Sequence, residues 1–433
     1  MKKLINLLLA SVFLSLSFSS MAFAGGSSKV DSGDTAWILI SAALVMLMTP
    51  GLALFYGGMV RRKNVLGTIM HSFIAIALVS MQWILIGYTL SFGPDIKGII
   101  GGLDWIGLNG VGVEPSKYAP TVPHLAFMIY QAMFAVITPA LISGAFAERM
   151  KFSAYVLFTI IWSTVVYDPV AHWVWGGGWL NSLGVLDFAG GIVVHATSGL
   201  SALAAALFIG KRRGFPNESF TPHNLPMTVL GAGLLWFGWF GFNAGSALSS
   251  GELSTIAFVT THIAAVAATL TWVAVEWLHR GKPTMFGAAT GSIAGLATIT
   301  PAAGFVGPMP ALLIGVAAGL VCYTALNAKT HFGYDDSLDA FGVHGVGGTL
   351  GTLGAGLFAS LSINPGGANG LFFGNEKQFF IQLGAVAAVG LYSFVVSLII
   401  FKLVDLLVGV RVSEEIEVEG LDYSQHGESG YTL

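Results

Sequence analysis

Charge is scarce in this sequence. Only 9% of its 433 residues are Asp, Glu, Lys or Arg, against about 25% in an ordinary soluble domain. The 19 basic and 22 acidic residues leave a net charge of −3, so no broad basic field exists to hold nucleic acid. A single cysteine, Cys322, excludes a disulfide framework and any cysteine-based zinc site. Enzyme signatures are missing too: there is no G-x-S-x-G, no H-E-x-x-H and no G-x-x-x-x-G-K-S/T. The 57 glycines follow no collagen-like period, and a hydrophobic fraction of 55% is too high for disorder. What remains is a polytopic membrane protein.

The first 24 residues read as a cleavable signal peptide: Lys2 and Lys3, a short apolar run, then Ala22-Phe23-Ala24 before Gly25. Beyond them, stretches of about 20 mostly apolar residues recur. They cover 35–58, 66–91, 122–146, 152–173, 188–210, 226–246, 253–279, 284–301, 305–328, 338–360 and 378–409, eleven in all. The positive-inside rule tests that count. With the mature N-terminus outside, thirteen Lys and Arg residues fall in inner segments and four in outer ones. One helix more or fewer would invert every later loop and destroy the asymmetry. The sequence therefore predicts an all-α membrane protein, N-terminus out and C-terminus in, with a membrane domain over 25–409 and a polar tail over 410–433.

Eleven spans accommodate two five-helix units of opposite orientation plus one. The fifth span opens with Asp187 and carries His195; the tenth opens with Asp339 and carries His344. An acid followed by a histidine at similar depth from opposite faces is the pattern of an inverted repeat, whose site lies where the halves meet. Polar groups at membrane depth are costly and so mark function. Asp168, Asp187, Glu276, Asp339 and Asp405 all lie near span ends, which leaves histidine. His71, His195, His262 and His344 fall inside spans; the paired placement singles out His195 and His344, while His71 and His262 read as packing residues. The segment His172-Trp173-Val174-Trp175-Gly176-Gly177-Gly178-Trp179 closes the fourth span. It reads either as an interfacial aromatic belt or as a face that attracts a small cation. Residues 238–247, Gly-Trp-Phe-Gly-Phe-Asn-Ala-Gly-Ser-Ala, interleave small residues with aromatics, which suits close helix packing.

Together these segments resemble the ammonium transporter family. The matching strings are Thr49-Pro50-Gly51-Leu52-Ala53-Leu54-Phe55-Tyr56-Gly57-Gly58, Gly144-Ala145-Phe146-Ala147-Glu148-Arg149 and Asp187-Phe188-Ala189-Gly190-Gly191-Ile192-Val193-Val194-His195. The 238–247 string, Phe341-Gly342-Val343-His344-Gly345 and the tail from Gly409 to Glu428 complete the match in order. The resemblance implies a homotrimer of eleven-helix protomers in the inner (plasma) membrane, each protomer with its own pore. By position, Trp175, Ser246 and Phe134 match the outer ammonium site, and Phe134 and Phe242 the stacked gate. His195 and His344 match the twin pore histidines, Trp239 lines the pore, and Asp187 is the buried acid beneath the site. Tyr130 departs from the family pattern, which has phenylalanine beside the gate; its hydroxyl is expected to add a polar contact at the vestibule. For the tail, the resemblance implies an ordered cytoplasmic segment and a PII-type signal protein as partner, against a disordered acidic end.

The physics of such a pore suits ammonium. Moving a bare ion into a low-dielectric interior costs on the order of 20 kcal/mol before relaxation. Releasing a proton from an amine-like group with a pKa of about 10 costs roughly 4 kcal/mol at pH 7. An apolar pore thus favours passage of ammonia, and potassium, with no proton to release, is excluded. The expected activity is transport of ammonium or methylammonium without any cofactor, by an electrogenic or an electroneutral route. Two rivals stand beside it: a non-conducting ammonium sensor, which a chain with no signalling domain after Leu433 fits poorly, and a Rh-like neutral-gas channel.

Overall fold

The computed structural model describes residues 30–431, so the predicted signal peptide lies outside the described residues. In chain order the helices are α1 (Ser32–Met59), α2 (Arg62–Phe92), α3 (His124–Phe146), α4 (Phe152–Ser182) and α5 (Gly191–Ile209). Then follow α6 (Leu225–Gly245), α7 (Glu252–Arg280), α8 (Met285–Ile299), α9 (Pro308–Phe332), α10 (Val346–Phe358) and α11 (Glu376–Val408). All but α8 and α10 are long and apolar enough to cross a membrane, nine among the described residues. Each helix sits on one of the stretches read from the sequence. Side chains cap several starts: Asp31 accepts from Asp34 N at 2.9 Å, Asn224 from Met227 N at 3.0 Å and Thr284 from Gly287 N at 2.9 Å. The α2–α3 connection carries two small hairpins, β1 (Asp95–Ile96) with β2 (Ile100–Gly101), and β3 (Pro115–Ser116) with β4 (Ala119–Pro123).

Apolar residues cover α3 all round, and it is buried on nearly every side. In contrast α2, α7, α9 and α11 expose Phe73, Leu270, Leu320 and Leu391. Apolar surface on that scale belongs against lipid rather than water. Glycines let the central helices touch: a Cβ at Gly231 on α6 would stand 2.3 Å from Phe55 N on α1.

Hydrogen bonds sort the connections into two ends. At one, Glu148 accepts from Arg61 Nε at 3.0 Å and from Arg212 Nη1 at 3.2 Å, while Arg212 Nη2 donates to Asp335 Oδ1 at 2.8 Å. Burial alone would raise the Glu148 and Asp335 carboxyls, but the guanidinium groups outweigh it and hold both below the usual carboxylate range. The tail packs on this end. Met150 and Arg411 form an antiparallel bridge, and two short helices follow, α12 (Glu414–Glu419) and α13 (Leu421–His426). Gly67 N donates to Asp422 Oδ1 at 2.8 Å, Phe152 N to Gln425 Oε1 at 2.7 Å and Arg213 N to Glu417 Oε1 at 2.8 Å. The tail's acids therefore bind backbone and arginine groups of the helix connections, and the segment is folded. At the other end Asp31 N bonds to Thr121 O at 2.8 Å, Phe188 N to Pro301 O at 3.1 Å and Ser360 N to Phe305 O at 2.9 Å. We call these the tail end and the vestibule end.

Candidate functional site

A cavity of about 220 Å³ opens at the vestibule end, lined among others by Trp175, Phe134, Gln131, Ser246, Asp187 and Tyr118. Phe134 of its lining packs against Phe242, with ring centroids 4.3 Å apart and planes tilted by 36°. Both phenylalanines are buried. Trp175 meets Phe134 edge to face at 5.9 Å, and its indole Nε1 donates to Asp187 O at 2.9 Å. That bond fixes the edge of the indole, and the residue lines the cavity.

Asp187 organises the start of α5. Its Oδ1 accepts from Gly190 N at 2.9 Å and Gly191 N at 2.6 Å, and its Oδ2 from Ile192 N at 2.8 Å and Val193 N at 3.0 Å. These are the orphan donors of a helix start, here a π-turn over Gly191–Ala196. Gly190 takes φ 111°, a conformation suited to glycine, to bring the chain round the carboxylate.

Ser246 Oγ donates to Phe242 O at 2.9 Å, and the residue lines the cavity. The hydroxyl of Tyr130 makes its polar contact at the vestibule from behind, through Ser246. Tyr130 is wholly buried, and its oxygen lies 3.0 Å from Gly241 O, 2.9 Å from Phe242 O and 3.1 Å from Ser246 Oγ. It braces the strip of α6 that carries the serine and the gate ring.

Beneath the gate lies a narrow chamber of about 10 Å³, lined by His195, His344, Trp239 and aliphatic side chains including Leu235 and Ile293. The two imidazoles lie within 13° of parallel, with Nδ1 atoms 3.2 Å apart. One Nδ1 must carry a hydrogen and the other present its lone pair. His195 Nε2 has no hydrogen-bond partner among the described residues. Trp239 stacks on His195 at 5.5 Å and is held by Thr300, whose Oγ1 accepts from its Nε1 at 2.9 Å. Thr300 went unnoticed in the sequence, because nothing local links it to a tryptophan 61 positions away.

His344 also occupies a π-turn, Phe341–Gly345, ahead of α10. The acid that caps this turn is Asp336, not the expected Asp339. Asp336 Oδ1 accepts from Ala340 N at 3.1 Å and Oδ2 from Phe341 N at 2.8 Å, whereas Asp339 pairs with Lys329. Asp336 precedes His344 by eight positions, as Asp187 precedes His195. That equal spacing was present in the sequence, hidden by the nearer acid. Glycines complete the pairing. A Cβ at Gly199 would stand 2.0 Å from Gly345 N, and one at Gly348 would stand 2.7 Å from His195 Cβ. Each histidine-bearing helix thus has a glycine four positions on that admits the other.

The remaining intramembrane histidines stay apart from this chamber. His71 is buried against Phe146, Phe152 and Tyr155, and His262 lies beside Trp236 and Phe240.

The chain matches the model of the Ammonium Transporter Family over residues 36–431. It belongs to that family. It is 54% identical over 400 residues to the ammonium transporter of Bacillus subtilis, covering 92% of this chain and 98% of that one. The fold is similar to the crystal structure of Candida albicans Mep2, with a TM-score of 0.86 at 37% identity and 94% of each chain covered. It is also similar to a sensor Amt protein, with a TM-score of 0.84 at 29% identity over 91% of this chain and 98% of that one. This ammonium transporter family member is therefore a multi-pass membrane protein, and its apolar helix faces meet lipid.

Proposed function

We propose that the protein recruits ammonium at the vestibule, strips it of a proton and conducts ammonia past His195 and His344. The observation that carries this reading is the polarity of the route. An aromatic cavity bearing the Ser246 hydroxyl leads, past the Phe134–Phe242 ring pair, to an apolar chamber whose polar lining is a hydrogen-bonded histidine pair. Trp175 and Phe134 hold the cation through their ring faces, and Ser246 accepts one of its hydrogen bonds. Phe134 and Phe242 exclude water and hydrated ions. His195 and His344 exchange hydrogen bonds with the neutral molecule. Asp187 holds the start of α5 and biases the vestibule toward cations.

The vestibule end faces outward and the tail end the cytoplasm, across eleven spans. The positive-inside count supports this, as does the sorting of alternate connections to one end. The matched spacing of Asp187 and His195 with Asp336 and His344 supports an inverted five-plus-five repeat around the pore. On this reading the protein is a homotrimer of the inner membrane, with a cleaved signal peptide and a cytoplasmic tail that receives a PII-type signal protein.

Reconstitution tests the reading. Liposomes carrying the wild-type protein should take up labelled methylammonium saturably and exclude potassium; potassium permeating as readily as methylammonium would overturn it. A sensing role is the second reading, favoured by the likeness to the sensor Amt protein. Binding of methylammonium without flux would select it.

A further inference from the structure

The turn that presents Trp175 rests on His172. Gly176 N and Gly178 N both donate to His172 O, at 3.0 and 2.9 Å, and Trp175 N donates to Ala171 O at 2.8 Å. A Cβ at Gly176 would stand 2.6 Å from His172 Nδ1, so the turn lies directly against the imidazole. The ring reaches two partners outside its own helix. His172 Nδ1 is 3.0 Å from Ser91 O, and Nε2 is 2.9 Å from Asp95 Oδ1. The imidazole is fully buried, while the Asp95 carboxylate is 40% exposed and so open to protons from the vestibule side.

A proton count follows. A carbonyl oxygen only accepts, so Nδ1 carries a hydrogen. Contact between Nε2 and the carboxylate then requires one further proton, shared between them. Without it, two lone pairs would face each other at hydrogen-bonding distance, and the contact would open. The bond to His172, then Gly98 N and Lys117, hold the Asp95 carboxyl below its usual range despite some burial. Other charged and titratable groups surround the pair. Lys117 lies on the Asp95 side, and Asp168, one turn back on α4, takes Gln82 Nε2 at 2.7 Å and Ser91 Oγ at 3.4 Å. The Tyr118 hydroxyl lies 2.7 Å from Phe92 O and 3.0 Å from Gly176 O; burial pushes its phenol up, so it stays neutral.

We propose that His172 and Asp95 form a proton-dependent clamp that positions Trp175 and thereby sets the affinity of the vestibule for ammonium. His172 is a positioning residue, acting through the Trp175 turn rather than on the substrate. Closed, the clamp joins the β1 hairpin, the end of α2 and the Trp175 turn. Open, it frees the imidazole from the β1 hairpin, while the turn keeps its backbone bonds to His172 O and Ala171 O, the Tyr118 contact and the indole bond to Asp187.

The inference rests on the transport reading, and the test separates the two. Initial rates of labelled methylammonium uptake are measured in proteoliposomes with the internal pH fixed and the external pH varied from about 5 to about 9. Across this interval an amine with a pKa of about 10 stays mostly protonated, so the charge of the substrate itself hardly changes. Wild-type KM should rise about threefold or more as the pH increases, with kcat moving much less, as for loss of one charge-assisted hydrogen bond. In Asp95→Asn the side-chain amide donates to a neutral Nε2, so KM should stay low and become independent of pH. His172→Ala should raise KM at every pH. A flat wild-type profile, or Asp95→Asn keeping the wild-type slope, would overturn the clamp while leaving transport intact. No saturable uptake by the wild type would sink the transport reading itself.

Discussion

His195 and His344 place their Nδ1 atoms 3.2 Å apart although 149 positions separate them in the chain. Their parallel rings line the chamber beneath the gate. With one hydrogen between the two Nδ1 atoms, the pair offers polar contacts at no cost in net charge. Either His195→Ala or His344→Ala removes this arrangement from an otherwise apolar passage. Flux should fall about tenfold or more, as expected when a polar solute loses a buried hydrogen-bond partner. Liposome uptake of methylammonium, with current recorded alongside, checks it; unchanged flux and current in both variants would remove the histidines from the mechanism.

Trp175 contributes a ring face rather than a hydrogen bond, since its N–H is committed to Asp187 O. Trp175→Leu keeps an apolar wall but loses the cation–π attraction. KM should rise roughly fivefold, corresponding to about 1 kcal/mol, with little change in kcat. A concentration series of uptake rates resolves the two constants.

Tyr130 braces backbone and Ser246 from behind the gate. Tyr130→Phe should lower stability by about 1 kcal/mol through the lost hydrogen bonding and leave KM within about twofold of wild type. Thermal unfolding in detergent and uptake kinetics measure the two effects. A large rise in KM with unaltered stability would place the hydroxyl in the vestibule after all.

The buried cluster at the tail end predicts acid sensitivity. The Glu148 and Asp335 carboxyls are held below their usual range. Their stabilisation is thus complete above the ordinary carboxylate value of about 4 and lost as the pH falls below it. Asp336, raised by burial to about 6, gives the opposite slope, weakening the fold as the pH rises through that value. Below about pH 4 only the first effect operates, so the melting temperature should drop there. Glu148→Gln should flatten that drop and cost about 3 kcal/mol at neutral pH, because Arg61 and Arg212 lose a buried partner.

Gly199 and Gly348 allow the two histidine helices to meet. Gly199→Ala would force a Cβ against the Gly345 backbone, an overpacking cost of about 3 kcal/mol or more. Separation of the histidines should follow, with loss of uptake even in protein that still reaches the membrane.

Particular elements explain what was legible in advance. The helices α1 to α11 lie on long apolar runs, and in lipid the backbone must satisfy its own hydrogen bonds, so such runs have little choice but helix. His195 and His344 stood out because polar groups at depth are rare. The family resemblance singled out Trp175, Ser246 and Phe134, which line one cavity, and Phe242, whose ring packs against Phe134. Asp336 was missed because Asp339 lies nearer to His344, and proximity in sequence is a poor guide to which carboxylate meets a helix start. That Tyr130 reaches the vestibule through Ser246, and not on the open cavity, depends on which neighbour packs behind α3, here α6. The order of the tail could not be read from its acidic composition. Asp422 accepts from the Gly67 backbone amide of α2, and Glu417 from the Arg213 amide and from Arg411, so the contacts that fix the tail come largely from distant parts of the chain.

By itself the sequence determined that the chain lives in a membrane and roughly where each helix runs, because apolar length and sparse charge are local properties. Tertiary structure alone decided which side chains face one another: the histidine pair, the stacked gate, the caps of Asp187 and Asp336, and the hold of His172 on the Trp175 turn. Those contacts depend on helices brought together from opposite halves of the chain, at distances set by glycines whose role shows only when the partner backbone lies against them.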